Sequence, residues 1–273
     1  LWGSLQNPQK EKILYPSRPE RVHWNSIFKK EVNSVNDKYP ELQLGPVRFN
    51  LANDIPMLIA AVVVFLLVFY LSRKPKLRPG GKQNLLEWII DFTNGIVKGE
   101  MPGKEGNTFK LFIFTMFLFV FMMNQLGLFI DVKIDGYTWF HSPTASPLIT
   151  MTLAMIVLVL SHYYGVKNKG FKGYLKGYVT PMAFMAPINL LEEFTNFMTL
   201  SLRLYGNIFA GEVLVMLIRN LGLMGGHAAF VAFPFGFIVE MVWQGFSVFI
   251  GSIQAYIFVT LGTVYMSHKA VSE

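Results

Sequence analysis

LLEEFTNFMTLSLRLYGNIFAGEVLVML, Leu190 to Leu217, reads as one long helix. It is apolar enough for a membrane, yet it carries Glu192, Glu193, Arg203, Asn207 and Glu212. Ionisable groups inside a membrane segment are costly and face a bundle interior, a water-filled cavity or a partner. Arg203 says most, because a guanidinium stays protonated whatever surrounds it. A permanent cation at membrane depth implies an anion opposite it, or an anion that passes it.

The composition around this helix agrees. Of 273 residues, 52% are hydrophobic and only 15% charged; the mean hydropathy is +0.40. Soluble domains carry about 25% charged residues, so the chain reads as an all-α integral membrane protein. The net charge of +7 raises nucleic acid as a partner, but the lysines cluster in loops beside apolar segments. That is the pattern of short cytoplasmic loops, and the expected partner is the lipid bilayer, not nucleic acid. The absence of cysteine excludes disulfides, zinc fingers and thiol catalysis. No P-loop, HExxH, GxSxG or dinucleotide fingerprint occurs, and the GLMGGH turn lacks the P-loop lysine. No cofactor or metal is expected.

Residues 1–50 form a polar, proline-punctuated arm, expected outside the cytoplasm, with Trp24, Ile27 and Phe28 suited to a short amphipathic turn. It begins at Leu1 and has no signal-peptide core, which fits a start lost or processed away. A membrane domain over 51–273 follows, with spans expected at 55–71, 109–130, 148–164, 187–217 and 228–265. Pro56 is placed in the first turn of the first span. The segment 83–98 is short, charged and one-sided, with Leu86, Ile89, Ile90 and Ile96 on one face. It reads as a helix lying on the cytoplasmic surface. Basic loops at Arg73–Lys82 and Lys167–Lys176 alternate with the aromatic loop at Asp131–Pro147. The alternation puts the N-terminus outside and the C-terminus in the cytoplasm. The fold expected is therefore five transmembrane helices plus one cytoplasmic interfacial amphipathic helix. The last segment would be about 57 Å long against a core of about 30 Å, so the last two spans make a long, strongly tilted hairpin. Pro234, Gly236, Gly245 and Gly251 are the candidate bends. No internal repeat is visible, which weighs against the inverted-repeat transporters.

Along the fourth span Glu193, Arg203 and Glu212 are ten and nine residues apart. This puts the arginine about 15 Å from one carboxylate and about 13.5 Å from the other. Each acid then lies near a different face of the membrane, with the cation near the middle. Asn196, Arg203 and Asn207 share a stripe on a helical wheel. On the fifth span Glu240, Ser247 and Gln254 recur every seven residues as a second polar stripe. An antiparallel hairpin measured from its turn sets Gln254 level with Asn196, and Ser247 level with Arg203. Gly206, Ala210, Gly211, Gly245, Gly251 and Ser252 are expected to let the two helices approach. Glu192 either flanks the inner face or joins the site. His162 reads with Tyr163 and Tyr164 as an interfacial belt.

SLRLYGNIFAGE, preceded by LLEEF and followed by QGFSVFIGSIQAYIF, resembles the subunit a family of F-type ATP synthases, in its bacterial form. The resemblance covers about Pro56 to Lys269. It implies that Arg203 is the stator arginine and that Asn207 and Glu212 are its polar companions. Glu193 then belongs to the cytoplasmic half-channel, and Gln254 is the glutamine of the last helix. Two positions depart from the pattern: Ser247 stands where many members carry His or Glu, and an acid appears two turns earlier at Glu240. The resemblance further implies a c-subunit ring, a b-subunit peripheral stalk and the rest of the synthase as partners, in a bacterial plasma membrane. ATP chemistry would lie in other subunits, so the chain itself is no enzyme. The rival readings are a proton-coupled secondary transporter and a passive scaffold, for which Arg203, Glu193 and Glu212 would tolerate alanine.

Overall fold

The computed structural model describes residues 40–270, apart from 45–46, 74, 77–79, 104, 131, 135–136, 141, 180–183 and 223–228. The expectations for 1–39, including the turn at Trp24–Phe28, and for the centre of the last hairpin turn lie outside the described residues. Among those described there are six α-helices and two short β-hairpins.

The first hairpin pairs β1 (Glu41–Leu44) with β2 (Val47–Asn50), from Glu41↔Asn50 to Leu44↔Val47. Asn50 closes β2 and also caps α1 (Leu51–Ser72), its side chain accepting from Ala52 N at 3.1 Å. An Asn cap satisfies one of the four free N–H groups of a helix start. It moves the start ahead of the expected Ile55, so Pro56 sits in the second turn. There its missing N–H leaves the Ala52 carbonyl without the usual helical donor. Leu58, Phe65 and Phe69 stand exposed on α1, the side a bilayer would cover.

α2 (Gly81–Glu100) is longer than the expected 83–98 and leans along the first half of α3 (Gly106–Phe129). The Phe92 ring meets Phe117 of α3 at 5.5 Å. Leu86, Thr93 and Val97 form its buried face, while Trp88 and Glu87 face outward. Thr93 is tolerated there because its hydroxyl donates to the Ile89 and Ile90 carbonyls, at 3.0 and 3.1 Å.

Beyond α3, the loop read as plain aromatic contains a second hairpin, β3 (Val132–Ile134) with β4 (Tyr137–Phe140). Its sequence signal is Asp135–Gly136 between β-branched and aromatic residues. A 3₁₀ turn at Pro143–Ala145 leads into α4 (Pro147–Val179). The span expected at 148–164 continues through what reads as a basic loop and bends only at Gly170, at φ 72° and ψ 156°. That region of backbone space belongs essentially to glycine. The bend folds the segment 171–179 back, bringing Tyr174 against Gly165, where a Cβ would lie 2.8 Å from the tyrosine ring.

α5 (Met185–Gly222) and α6 (Ala229–Ala270) complete the fold. α6 is one helix of 42 residues, about 63 Å long. Of the expected alternatives bend, break or tilt, the unbroken helix excludes a break. By length and apolarity alone, α1, α3, α4 and the 236–269 part of α6 qualify as membrane spans. α5 does not, because Glu192, Glu193, Asn196, Arg203, Asn207 and Glu212 interrupt its apolar surface.

The buried centre lies among α3 to α6, with Phe109, Ile113, Met123, Leu204 and Phe258 nearly inaccessible. In lipid this packing depends on close contact, because the surroundings are as apolar as the core. Small residues supply that contact, though not where expected. Gly251 approaches α3, a Cβ there lying 3.3 Å from Asn124 Cβ, and Gly127 lies against Ser142. Gly206, Gly211 and Gly245 instead have nothing within 4 Å of a Cβ position. They leave an open strip beside the α5–α6 seam.

Candidate functional site

At the end of the bundle bearing the lysine-rich segments, α4, α5 and α6 enclose a cavity of about 310 Å³. Glu192, Glu193 and Asn196 line it from α5, joined by Lys269 of α6 and Tyr174 and Tyr178 of α4. Glu193 is the hub. Its Oε2 meets His162 Nε2 at 3.1 Å, and its Oε1 takes both the Lys269 ammonium and the Tyr178 hydroxyl. Lys269 donates in turn to Tyr178 at 2.5 Å and Tyr174 at 3.1 Å, and the two phenols lie 2.8 Å apart. Both members of the ion pair keep only 16% side-chain exposure, so the pair is held largely away from solvent. Tyr265 also lines the cavity and lies within electrostatic reach of Glu192 and Arg203.

The folded-back segment 171–179 delivers both tyrosines to this cluster, so the cluster depends on Gly170. Nothing within 4 Å obstructs a Cβ there, which makes Gly170→Ala a test of backbone conformation alone. A strained residue of this kind costs about 1–3 kcal/mol. The variant is expected to release the segment and to speed tryptic cleavage after Lys172 in membranes severalfold. Cleavage at the wild-type rate would show that the bend tolerates a side chain.

Nearer the middle of α5, Asn207 Nδ2 donates to Gln254 Oε1 at 2.8 Å. Of the two expected polar stripes, Asn207 and Gln254 meet, in a register that differs from the turn-counting estimate. Gln254 meets Asn207, not Asn196, and the residue opposite Glu193 is Lys269. Each α6 partner lies farther from the turn than its α5 mate, by a nearly constant offset along the seam. Ser247 is buried at 6% and Gln254 at 2% exposure. Ser247 Oγ and Gln254 Nε2 find no hydrogen-bond partner among the described residues, so the seam retains polar capacity. Arg203 is half-buried on α5, and Glu240 is half-buried on α6.

Toward the opposite end, Glu212 Oε1 accepts from Ser142 N at 3.3 Å. A buried polar chain runs on from there: Ser142 Oγ lies 2.9 Å from Thr144 Oγ1, which donates to Asn124 Oδ1 at 2.8 Å. Asn124 Nδ2 donates to the Gly251 carbonyl at 3.0 Å, and Gln125 Nε2 to Ser252 Oγ at 3.2 Å. Gln244 Nε2 closes the group on the Leu128 carbonyl at 2.6 Å. Sequence reasoning placed Glu212 here but passed over this network. The signal was two adjacent amides, Asn124 and Gln125, inside an apolar run. At the first site it missed Lys269, which lies beyond the last span expected at 228–265, and His162, read as an interfacial belt residue but bonded to Glu193.

Four of the six described helices carry apolar segments of membrane length; with a charged cavity at one end and a polar cluster at the other, they define a polytopic membrane protein built around polar groups. Residues 55–267 match the family described as ATP synthase A chain. The chain is 50% identical over 233 residues to ATP synthase subunit a of Enterococcus hirae, covering 84% of this chain and 96% of the relative. It is 48% identical over 232 residues to that of Limosilactobacillus fermentum, covering 85% and 97%. For Listeria welshimeri the figures are 45% over 240 residues, covering 88% and 100%. The chain belongs to the ATP synthase A chain family.

Proposed function

We propose that this chain is the ion-translocating stator subunit of a rotary F-type ATP synthase in a bacterial plasma membrane. In this reading it forms two offset half-channels against a ring of c subunits and couples the flow of protons, or Na⁺, to ring rotation. The observation that carries the proposal is the division of α5. Glu193 sits in a polar cavity at one end, Glu212 in a polar cluster toward the other, and Arg203 between them. α5 is then the fourth of five crossings despite its polarity, α2 lies at the cytoplasmic interface, the N-terminus is outside and the C-terminus is cytoplasmic. Positive charge beside the first cavity favours its assignment to the cytoplasm.

The physics follows from the arginine. A neighbouring cation lowers a carboxylate pKa by about 1–3 units, so Arg203 promotes unloading of a ring carboxylate that approaches it. It then serves the bare carboxylate as counter-ion in a low dielectric. Standing between the two access routes, it also blocks direct leakage. The driving force is only about 2.3 kcal/mol per charge per 100 mV, so a leak is costly. The open strip at Gly206, Gly211 and Gly245, with exposed Asn207 and Phe249 beside it, suits the close approach of ring helices. Glu192 and Asn196 act on the inner route, and Asn207, Gln254, Ser247 and Glu240 on the passage outward. The b-subunit peripheral stalk holds the chain against rotation, and ATP chemistry stays in other subunits.

Purification from native membranes without crosslinking tests this. A c-type ring and ATPase subunits are expected to migrate with the chain. A chain that purifies alone and carries solute into liposomes would be a secondary transporter instead.

A further inference from the structure

We propose that Lys269 is a positioning residue of the inner route, holding Glu193 as a charged acceptor at the cavity. The inference rests on the reading of Glu193 as part of that route. Lys269 is nearly the last residue of α6, where a lysine ordinarily extends into solvent. Here it turns inward onto Glu193 and is held by both tyrosines of the folded-back segment. The arrangement is a built one, since three helices and the bend at Gly170 must all agree to form it.

The groups facing Glu193 leave Lys269 as its direct cationic contact. From α4 come His162, Tyr174 and Tyr178, with Lys169 on the cavity wall; from α5 comes Glu192, and from α6 Tyr265 and His268. Glu192 is a like charge that opposes ionisation of its neighbour. His162 touches Oε2, but it adds a cation there only in its protonated form. An adjacent ammonium favours the ionised carboxylate. Tyr178 adds to this, accepting from the ammonium and donating to the carboxylate, so that it fixes the distance between them. Without the cation, Glu193 would remain largely buried and hold its proton to higher pH. Protons would then leave it less readily on the cytoplasmic side.

The test uses the assembled synthase in inverted membrane vesicles, where buffer pH sets the pH at the cytoplasmic face. Lys269→Gln is expected to move the pH dependence of proton conduction toward alkaline values by about one unit or more. Lys269→Arg is expected to retain the wild-type profile. In a Glu193→Gln background Lys269→Gln should change nothing further. A Lys269→Gln profile that coincides with wild type, while Glu193→Gln alters it, overturns the role of Lys269 alone. A Glu193→Gln profile identical to wild type instead overturns the placement of Glu193 in the route. Should Lys269→Gln fail to accumulate, Tyr178→Phe carries the test. It removes one hydroxyl and is expected to move the profile the same way by a smaller amount, and an unmoved profile counts against the proposal.

Discussion

Arg203→Lys is expected to cut ATP-driven proton pumping about tenfold or more while leaving the complex assembled. Charge alone does not explain the requirement. Lysine carries the same formal charge, but as a compact ammonium that loses its proton readily when desolvated, whereas guanidinium does not. At a half-buried position on α5, between two polar clusters, a side chain able to neutralise itself would neither repel protons nor promote unloading. One pKa unit of lost influence on a passing carboxylate is a tenfold change in its ionisation. Arg203→Ala should go further and let protons cross without rotation, seen as faster passive decay of an imposed pH gradient. Pumping at the wild-type rate in Arg203→Lys vesicles would remove the arginine from the mechanism.

The second large effect is expected far from any charge. Gly127 lies in the last turns of α3, and a Cβ there would stand 2.2 Å from Ser142 Cβ and 2.3 Å from its Cα. Backbone, and not a flexible side-chain tip, must give way. Gly127→Ala would push the 142–145 segment off α3 and break the Thr144–Asn124 contact, and with it the placement of Ser142 on Glu212. Overpacking of this kind costs about 1–3 kcal/mol or more, here compounded by the buried polar groups left unpaired. The measurement is the yield and thermal stability of the complex in detergent. Gly95→Ala is the control, because α2 leaves open space at that position. It should be neutral or slightly stabilising, since alanine suits a helix interior better than glycine. Equal behaviour of the two variants would show that α3 adjusts freely.

Charge and hydropathy made the order of the helices among the described residues legible. The long polar–apolar compromise at Leu190–Leu217 marked α5 as the centre before any contact was known. Periodicity along one helix also placed Glu193 and Glu212 in separate surroundings, because helical rise converts spacing directly to distance. What it could not give was partnership between helices. The opposition of Gln254 and Asn207 depends on the register of α6 against α5, which no local pattern records. Lys269 was hidden for a related reason. A lysine near a helix end ordinarily snorkels to water, and only the fold-back at Gly170 supplies a reason for it to turn inward. Asn124 and Gln125 were visible, but their meaning lay in a loop some twenty residues later and a helix beyond that.

α6 is unbroken over 42 residues and fastened at several levels to different neighbours. Lys269 ties it to Glu193, Gln254 to Asn207, its Gly251 carbonyl to Asn124, and Gln244 to the Leu128 carbonyl. A beam held this way does not hinge about any one support. Sideways load on its exposed Phe246 and Phe249 passes into α3 and α5 and is shared among them. Under the proposed rotary function, that stiffness would keep the bearing surface from following the rotor.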